Sequence, residues 1–232
     1  MHTQFRSSLA ILGFLAACAG THAPAAAAPP AGKTEHASAV PAADALEMLS
    51  AGNQRYVSGK LQHPHQSAER RTELANSQVP SAVIIGCADS RTAPELLFDQ
   101  GLGDLFVIRV AGNVVDDHAL GSVEYAAEHL GTKLIVVLGH ERCGAVKAAR
   151  DSVGAKSEAH DHIASLVAAI RPAVDATIGA DADATCKANV HDVEQVLKTS
   201  EPVLREMVDA GQLKVVGAYY DLDTGVVTFL DK

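Results

Sequence analysis

The chain has 232 residues, of which 47% are hydrophobic and 20% charged, a composition typical of a globular protein long enough to bury a sizeable core. Its formal net charge of −9 at pH 7 argues against a surface for nucleic acid or anionic membranes, and no basic patch offsets that charge. Tryptophan is absent and aromatic residues make up only 4%, so aliphatic side chains must build the interior.

Residues 1–17 have the pattern of an export signal. Arg6 precedes the apolar run LAILGFLAA, which is too short to span a bilayer but long enough for the apolar centre of a signal peptide. The run ends in LAAC, which resembles a bacterial lipobox with Cys18 as the lipidated residue. Cleavage by ordinary signal peptidase at a small-residue site such as residues 25–27 fits equally well. Both alternatives predict an exported, periplasmic protein, and the first adds a lipid anchor.

Residues 18–42 are rich in Ala and Pro and carry too little large apolar surface to fold. They are predicted to form a disordered tether. The folded domain is predicted to comprise residues 43–232. It opens with residues 43–60, whose large apolar side chains have the spacing of an amphipathic helix.

Strands and helices then alternate along the chain. Apolar, partly β-branched runs at 81–87, 104–113 and 133–140 predict three buried strands. Helices are predicted between them, at 92–101 and 119–131. This alternation predicts an α/β fold, in which a mainly parallel central β-sheet is flanked by helices and preceded by an N-terminal helical arm.

The last third of the chain is predicted to be helical before a final pair of strands. Residues 160–172 and 189–210 have helical patterns, and residues 213–231 are typical of two strands around a turn that contains Asp and Gly. The last strand is expected to add an antiparallel edge to the sheet. Cys186 lies in a polar stretch without a companion motif, so it is predicted to be an exposed or lightly buried thiol.

Potential ligands follow two of the predicted strands. Cys87 comes directly after the first strand, with Asp89 and Arg91 close behind it, and His140 and Cys143 follow the third. In open α/β sheets, sites lie beyond the carboxyl ends of parallel strands. If the two strands are neighbours, the two cysteines and the histidine converge at one edge of the sheet.

Two thiolates and one imidazole are good zinc ligands, and three protein ligands leave a fourth tetrahedral position open. Buried apolar cysteines, or a disulfide between Cys87 and Cys143 in an exported protein, are the alternatives. The neighbouring His140 and the Asp89–Arg91 pair favour zinc over both. A bidentate pair with Arg91 keeps Asp89 ionised, and Asp89 then either accepts a hydrogen bond from zinc-bound hydroxide or ligates the zinc itself.

These two segments resemble the signature of the β-class carbonic anhydrases, in which Cys-x-Asp-x-Arg is followed by His-x-x-Cys. They are CADSR, at 87–91, and GHERCG, at 139–144. The likeness, which is to the plant-like branch of the family, extends over residues 43–231. It includes three further segments, ALEMLSAGNQRYVSG, FDQGLGDLFVIRVAGNVVD and ALGSVEYAAEHLG.

The resemblance implies an enzyme that reversibly hydrates CO₂ to bicarbonate and a proton, by attack of zinc-bound hydroxide. It implies Cys87, His140 and Cys143 as ligands of Zn²⁺. It implies Asp89 and Arg91 as the catalytic dyad that orients the hydroxide, with Asp89 as a metal ligand in a closed state only.

The resemblance extends to residues around the substrate. Gln78, nine residues before Cys87, falls where the plant-like branch has a substrate-orienting Gln. The other branch has a Trp three residues before the first ligand, where this chain has Ile84. Arg109 and Tyr220 match residues of that branch's regulatory bicarbonate pocket, which is incomplete here without the Trp.

The family also implies a homodimer or homotetramer, in which the helix over residues 43–58 embraces a partner and the active site lies near the interface. Ala111 replaces a Val that lines the substrate pocket, which allows a roomier pocket. Two alternatives remain open. One is hydrolysis of carbon disulfide or carbonyl sulfide at the same zinc site, and the other is a non-catalytic zinc-stabilised binding protein. A purely structural zinc site needs a fourth Cys or His as ligand. This chain has the Asp89–Arg91 pair beside the three ligands instead, which favours an enzyme.

Overall fold

The computed structural model describes residues 39–155 and 161–230. The predicted signal peptide, the predicted lipid attachment at Cys18 and most of the predicted tether lie outside these residues. Within the described part of the chain, no helix is both long and apolar enough to cross a membrane.

Five strands form one sheet in the order β2-β1-β3-β4-β5. The first four run parallel to one another, and β5 pairs antiparallel with β4. This arrangement confirms the predicted α/β fold and the predicted antiparallel edge. The strands are β1 (Ala82–Gly86), β2 (Leu105–Arg109), β3 (Leu134–His140), β4 (Lys214–Tyr220) and β5 (Val227–Phe229).

Helices account for most of the other described residues, and a single 3₁₀ turn at Ala111–Asn113 follows β2. The predicted N-terminal helix is present. The helices are α1 (Ala42–Val57), α2 (Ala68–Glu73), α3 (Pro94–Leu97), α4 (Asp117–His129), α5 (Gly144–Ala155), α6 (Ile163–Ala176), α7 (Ala182–Thr199) and α8 (Val203–Asp209).

Helices cover both faces of the sheet because the central strands are apolar on both sides. On one face, α1 packs against alternate residues of β1 and β3, through Leu49, Ile84 and Val136. On the other face, α4, α7 and α8 pack against the intervening residues, such as Val83 and Val137. Every residue of β1 and β3 is buried. Polar side chains are therefore excluded from the middle of these strands, and they can lie only where the strands end, as at the carboxyl edge.

The helix predicted at 189–210 differs in the structure, where two helices occupy this region. The helix α7 starts earlier, because the side chain of Asp181 accepts a hydrogen bond from the Ala184 amide and caps it. It ends at Thr199, three residues before Pro202, whose ring disfavours a helix interior.

The prediction that Cys186 is exposed or lightly buried is wrong, since it is 2% exposed. It lies on the face of α7 that packs over β3, in line with the buried Val190, Val193 and Leu197. Gly139 permits this close approach, because a Cβ atom there would lie 2.5 Å from Cγ2 of Val190. Because polar residues separate Cys186 from the other buried positions of α7, the helical spacing of these positions is difficult to recognise in the sequence.

The helix α1 is fastened to its own domain by Asn53, which is buried. The Asn53 amide donates to the carbonyl oxygens of Leu97 at 3.1 Å and Gly225 at 3.0 Å, and its Oδ1 accepts from the Val227 amide at 2.9 Å. In the chain itself, α1 thus packs on its own sheet. Its expected contact with a partner subunit stays a prediction.

Replacing Asn53 by Ala should lower the free energy of unfolding by about 3 kcal/mol, because a buried amide N–H and two buried carbonyls then lose their partners. Urea denaturation measures this change. The matched control is Gln54→Ala, since Gln54 is exposed on the same helix and its loss should matter by less than about 0.5 kcal/mol. Equal stabilities of the two variants would show that Asn53 does not fasten the helix.

Candidate metal centre

Adjacent parallel strands bring the three predicted ligands together. The strands β1 and β3 pair in parallel, so their carboxyl ends meet at one edge of the sheet. Cys87 follows β1, His140 ends β3, and Cys143 directly precedes α5. All three are buried, and one potential ligand atom from each lies within 4.8 Å of the others. No disulfide forms here, because both cysteines are free thiols.

His140 offers a nitrogen to this group. Its Nδ1 lies 2.8 Å from the carbonyl oxygen of Glu141. A carbonyl oxygen only accepts hydrogen bonds, so Nδ1 is the donor in this contact, and in the neutral imidazole Nε2 is then the nitrogen with the lone pair. Nε2 is buried and has no hydrogen-bond partner among the described residues. A buried acceptor without a donor, beside two sulfur atoms, is the arrangement that a metal cation would satisfy.

The surroundings of Cys87 favour a thiolate. The backbone amides of Gly112 and Asp89 point at its Sγ, at 3.2 and 3.4 Å. The hydrogen bond from the Cys143 thiol lowers the pKa of Cys87 most, and burial opposes that shift. The same contact and burial raise the pKa of Cys143, since a second negative charge would lie beside the first. A divalent cation would favour both thiolates.

Asp89 and Arg91 form a bidentate pair next to this group. The Arg91 Nε and a terminal nitrogen donate to the two carboxylate oxygens of Asp89 at 2.9 and 2.7 Å, and the Arg91 amide donates at 3.0 Å. The Arg91 side chain, as the main cause, holds the pKa of Asp89 well below its usual range. Asp89 Oδ2 lies 3.9 Å from Nε2 of His140. An ionised carboxylate therefore lies beside the three potential ligands.

A set of polar contacts that the sequence reasoning missed holds the loop between the second and third ligands. Arg142 has a positive φ of 53°. It donates to both carboxylate oxygens of Asp223, at 2.6 and 2.9 Å, and to Glu141 at 3.0 Å. Glu141 in turn accepts from the Leu222 amide at 3.1 Å. The loop is thereby tied to the β4–β5 turn.

Gln78 is not brought to this group within the chain. It is exposed and lies before the start of β1, whereas Cys87 follows the end of that strand. Five residues of parallel strand span about 16 Å. Two residues expected from the regulatory pocket have other contacts here. The Arg109 guanidinium donates to the Cys87 carbonyl, and the Tyr220 hydroxyl lies 3.4 Å from that of Tyr56.

Fold and site together define an α/β protein with a Cys₂His metal-type centre at the carboxyl edge of a parallel sheet. The family model for carbonic anhydrase matches residues 82–227. Carbonic anhydrase 2 of Mycobacterium tuberculosis is 42% identical over 192 residues, which cover 81% of this chain and 92% of that protein. Carbonic anhydrase of Pseudomonas aeruginosa is 36% identical over 169 residues, or 68% and 76% of the two chains.

Solved structures agree with this likeness. The Coccomyxa β-carbonic anhydrase in complex with acetazolamide has a TM-score of 0.61 and 29% identity, covering 82% of this chain and 83% of that one. Two tetrameric β-carbonic anhydrases from Sordaria macrospora share the fold, with a TM-score of 0.63 at 24% identity and coverage of 82% and 98%. The chain belongs to the β-carbonic anhydrase family.

Breaking the Arg142–Asp223 pair should loosen the metal centre without unfolding the protein. Arg142→Met and Asp223→Asn are each expected to weaken metal binding by up to about tenfold, because the pair holds the loop between two of the potential ligands. Competition with a chelator measures the affinity. Arg205→Met, which removes an exposed ion pair with Glu201, is the control. Wild-type affinity in the first two variants would contradict the role of this contact.

Proposed function

We propose that Cys87, His140 and Cys143 hold Zn²⁺ and that the protein uses it to hydrate CO₂ reversibly to bicarbonate and a proton. The observation that carries the proposal is the buried Nε2 of His140, which lies among two thiols and has no hydrogen-bond partner in the described part of the chain, with a carboxylate oxygen of Asp89 3.9 Å away. The membership of the family and the relatives named carbonic anhydrase support it.

The donor set fits zinc in a catalytic site. One nitrogen and two sulfur ligands are typical of zinc, and three protein ligands leave a fourth position for water or substrate. Two thiolates balance the charge of the ion, which is favourable at a buried site. When bound there, Zn²⁺ supplies a nucleophile at neutral pH by lowering the pKa of a coordinated water.

Asp89 has the role of directing that nucleophile. Because Arg91 keeps it ionised, its carboxylate can only accept hydrogen bonds. A proton of the reacting water points at Asp89, so an oxygen lone pair is left to face CO₂. Val114 and Val146 belong to the same buried apolar cluster as Cys87 and Cys143, so the surroundings of the ligands are nonpolar, which suits a neutral substrate.

We propose that Gln78 of one subunit orients one oxygen of the CO₂ that is bound at the metal centre of a neighbouring subunit. Within its own chain it lies beyond the far end of β1, so an oligomer is needed to bring it to a metal centre. A homodimer or homotetramer would provide this, and the Sordaria relatives are described as tetrameric. Sedimentation of the wild type and Gln78→Ala, with kinetics on the same samples, tests this part of the proposal.

Export is proposed from the pattern of residues 1–17, with the mature protein in the periplasm. A lipid on Cys18 and ordinary cleavage near residues 25–27 predict different mature N-termini. Mass spectrometry of protein purified from membranes and from periplasmic extract distinguishes them. A mature protein that retains Arg6 would contradict export by either route.

Stopped-flow CO₂ hydration, with zinc quantified on the same sample, tests the main proposal. One zinc per chain and rapid hydration are expected, together with inhibition by acetazolamide, the compound bound in the Coccomyxa structure. Hydrolysis of carbon disulfide and carbonyl sulfide is measured in parallel. Full zinc without CO₂ hydration would overturn the proposed reaction, and it would favour hydrolysis of these substrates or a structural zinc site according to the parallel assay.

A further inference from the structure

Arg109 holds the loop that carries the first ligand. It ends β2, and its register partner on β1 is Gly86, the residue before Cys87. The Arg109 Nε donates to the carbonyl oxygen of Cys87 at 2.8 Å, and a terminal nitrogen donates to the carbonyl oxygen of Asp89 at 2.5 Å. One planar guanidinium thus binds two carbonyls of the same loop in a fixed fork geometry.

Thr92 reaches the same two carbonyls from the other end of the loop. Its Oγ1 lies 3.2 Å from the Cys87 oxygen and 3.0 Å from the Asp89 oxygen, and its amide donates to the latter at 3.1 Å. A hydroxyl has a single proton, so Oγ1 serves one carbonyl at a time. Thr92 can bind both carbonyls only by using its amide for Asp89 and its hydroxyl for Cys87, whereas Arg109 binds both with the side chain alone.

The loop that Arg109 holds carries both the ligand Cys87 and the carboxylate of Asp89, so its backbone conformation sets where these two side chains lie. The Asp89 amide lies in the chain between the two carbonyls that Arg109 binds, and it points at Cys87 Sγ at 3.4 Å. The segment after Arg109 supplies the second donor to that sulfur, the Gly112 amide at 3.2 Å. The end of β2 therefore fixes the ligand sulfur and the backbone that carries Asp89.

We propose that Arg109 is a positioning residue for the zinc centre, which orients Cys87 as a ligand and Asp89 as the acceptor of the reacting water. The inference rests on the proposed function. Arg109 matches a residue of the other branch's regulatory bicarbonate pocket, which is incomplete here, and its Nε and one terminal nitrogen are engaged by the loop instead.

Three variants test the proposal: Arg109→Met, Arg109→Lys and Thr92→Val. In Arg109→Met, zinc affinity measured by chelator competition should fall about 10- to 100-fold, as is typical when an outer partner of a ligand is lost. The thiolate-to-cobalt absorption band of the cobalt-loaded protein should shift, and kcat should fall more than KM changes. Lys keeps the charge but not the fork, so Arg109→Lys should recover only part of the affinity.

Thr92→Val should have the smallest effect of the three, because Arg109 still binds both carbonyls. Arg171→Met, which breaks an exposed pair with Asp175 on α6, is the control and should match the wild type. If Arg109→Met does not fold, the comparison of Arg109→Lys with Thr92→Val decides, since the proposal requires the lysine variant to lose more zinc affinity.

Two results would overturn the inference. One is a lower melting temperature in the Arg109 variants with wild-type zinc affinity and an unshifted cobalt spectrum, which indicates a merely structural role. The other is a larger loss of zinc affinity in Thr92→Val than in the Arg109 variants. If the proposed function fails, the wild-type protein binds zinc but does not hydrate CO₂. The zinc affinities and cobalt spectra of the Arg109 variants still test the role of Arg109 in that case.

Discussion

Cys143→Ala is expected to lose more than about 100-fold in zinc affinity, and CO₂ hydration with it, because even outer partners of metal ligands are worth about 10- to 100-fold. The variant leaves one sulfur and one nitrogen at a site that needs three protein ligands for a catalytic zinc. Cys143 also donates the hydrogen bond that favours the Cys87 thiolate. The measurements are zinc per chain after dialysis, affinity by chelator competition, and stopped-flow hydration.

Cys186→Ala is the matched control for this experiment. Cys186 is a free, buried thiol of the same apolar cluster as Cys143, but it does not belong to the group of potential ligand atoms found among the described residues. Its replacement removes the same atom from the same cluster and should leave zinc binding near that of the wild type. Zinc loss in Cys186→Ala together with zinc retention in Cys143→Ala would show that the ligand set is wrong.

The sheet and the position of the site could be predicted because they depend on local patterns. The apolar run at 81–87 contains β1 and the run at 133–140 contains β3, each within one residue at its start. A strand that is covered on both faces of the sheet needs a continuous run of apolar residues. The convergence of Cys87 and His140 then follows from a general property of parallel sheets, that ligand sites lie beyond their carboxyl ends.

The rest depends on tertiary contacts that leave little trace in the sequence. The burial of Cys186 follows from the packing of α7 over Gly139, and the polar residues between its buried positions hide the pattern. Arg109 binds backbone carbonyls, which every residue has, so no spacing in the sequence reveals its partners. The separation of Gln78 from the metal centre already follows from the strand predicted at 81–87, which lies between Gln78 and the ligand edge, but a partner subunit that could bring Gln78 to that edge leaves no such pattern. An oligomeric contact is not encoded in a single-chain pattern at all.

Asp89→Asn should keep zinc and lose CO₂ hydration, with a fall in kcat of about 10²- to 10⁴-fold, the range for a positioned group that handles a reacting proton. Asn has nearly the same size, but its amide nitrogen is a donor and its charge is gone. The reacting water then loses the acceptor that sets its orientation. Arg91 loses the partner of its bidentate pair at the same time. Zinc content and kcat are measured on one preparation, and Asp175→Asn, at an exposed pair on α6, is the control.

The pH profile separates the charge of Asp89 from its bulk. Because Arg91 lowers the pKa of Asp89, the wild-type carboxylate stays ionised at neutral and mildly acidic pH, and its contribution is lost only as the pH falls through that depressed pKa. Arg91→Met removes the side-chain hydrogen bonds that are the main cause of the lowered pKa, so the pKa of Asp89 should rise toward its usual value, which a pH titration of the carboxyl by NMR measures. Activity near pH 8 should partly survive, because Asp89 is still ionised there. Asp89→Asn should be inactive at every pH. An Asp89→Asn variant with full zinc and wild-type kcat would mean that the reacting water is oriented by another group.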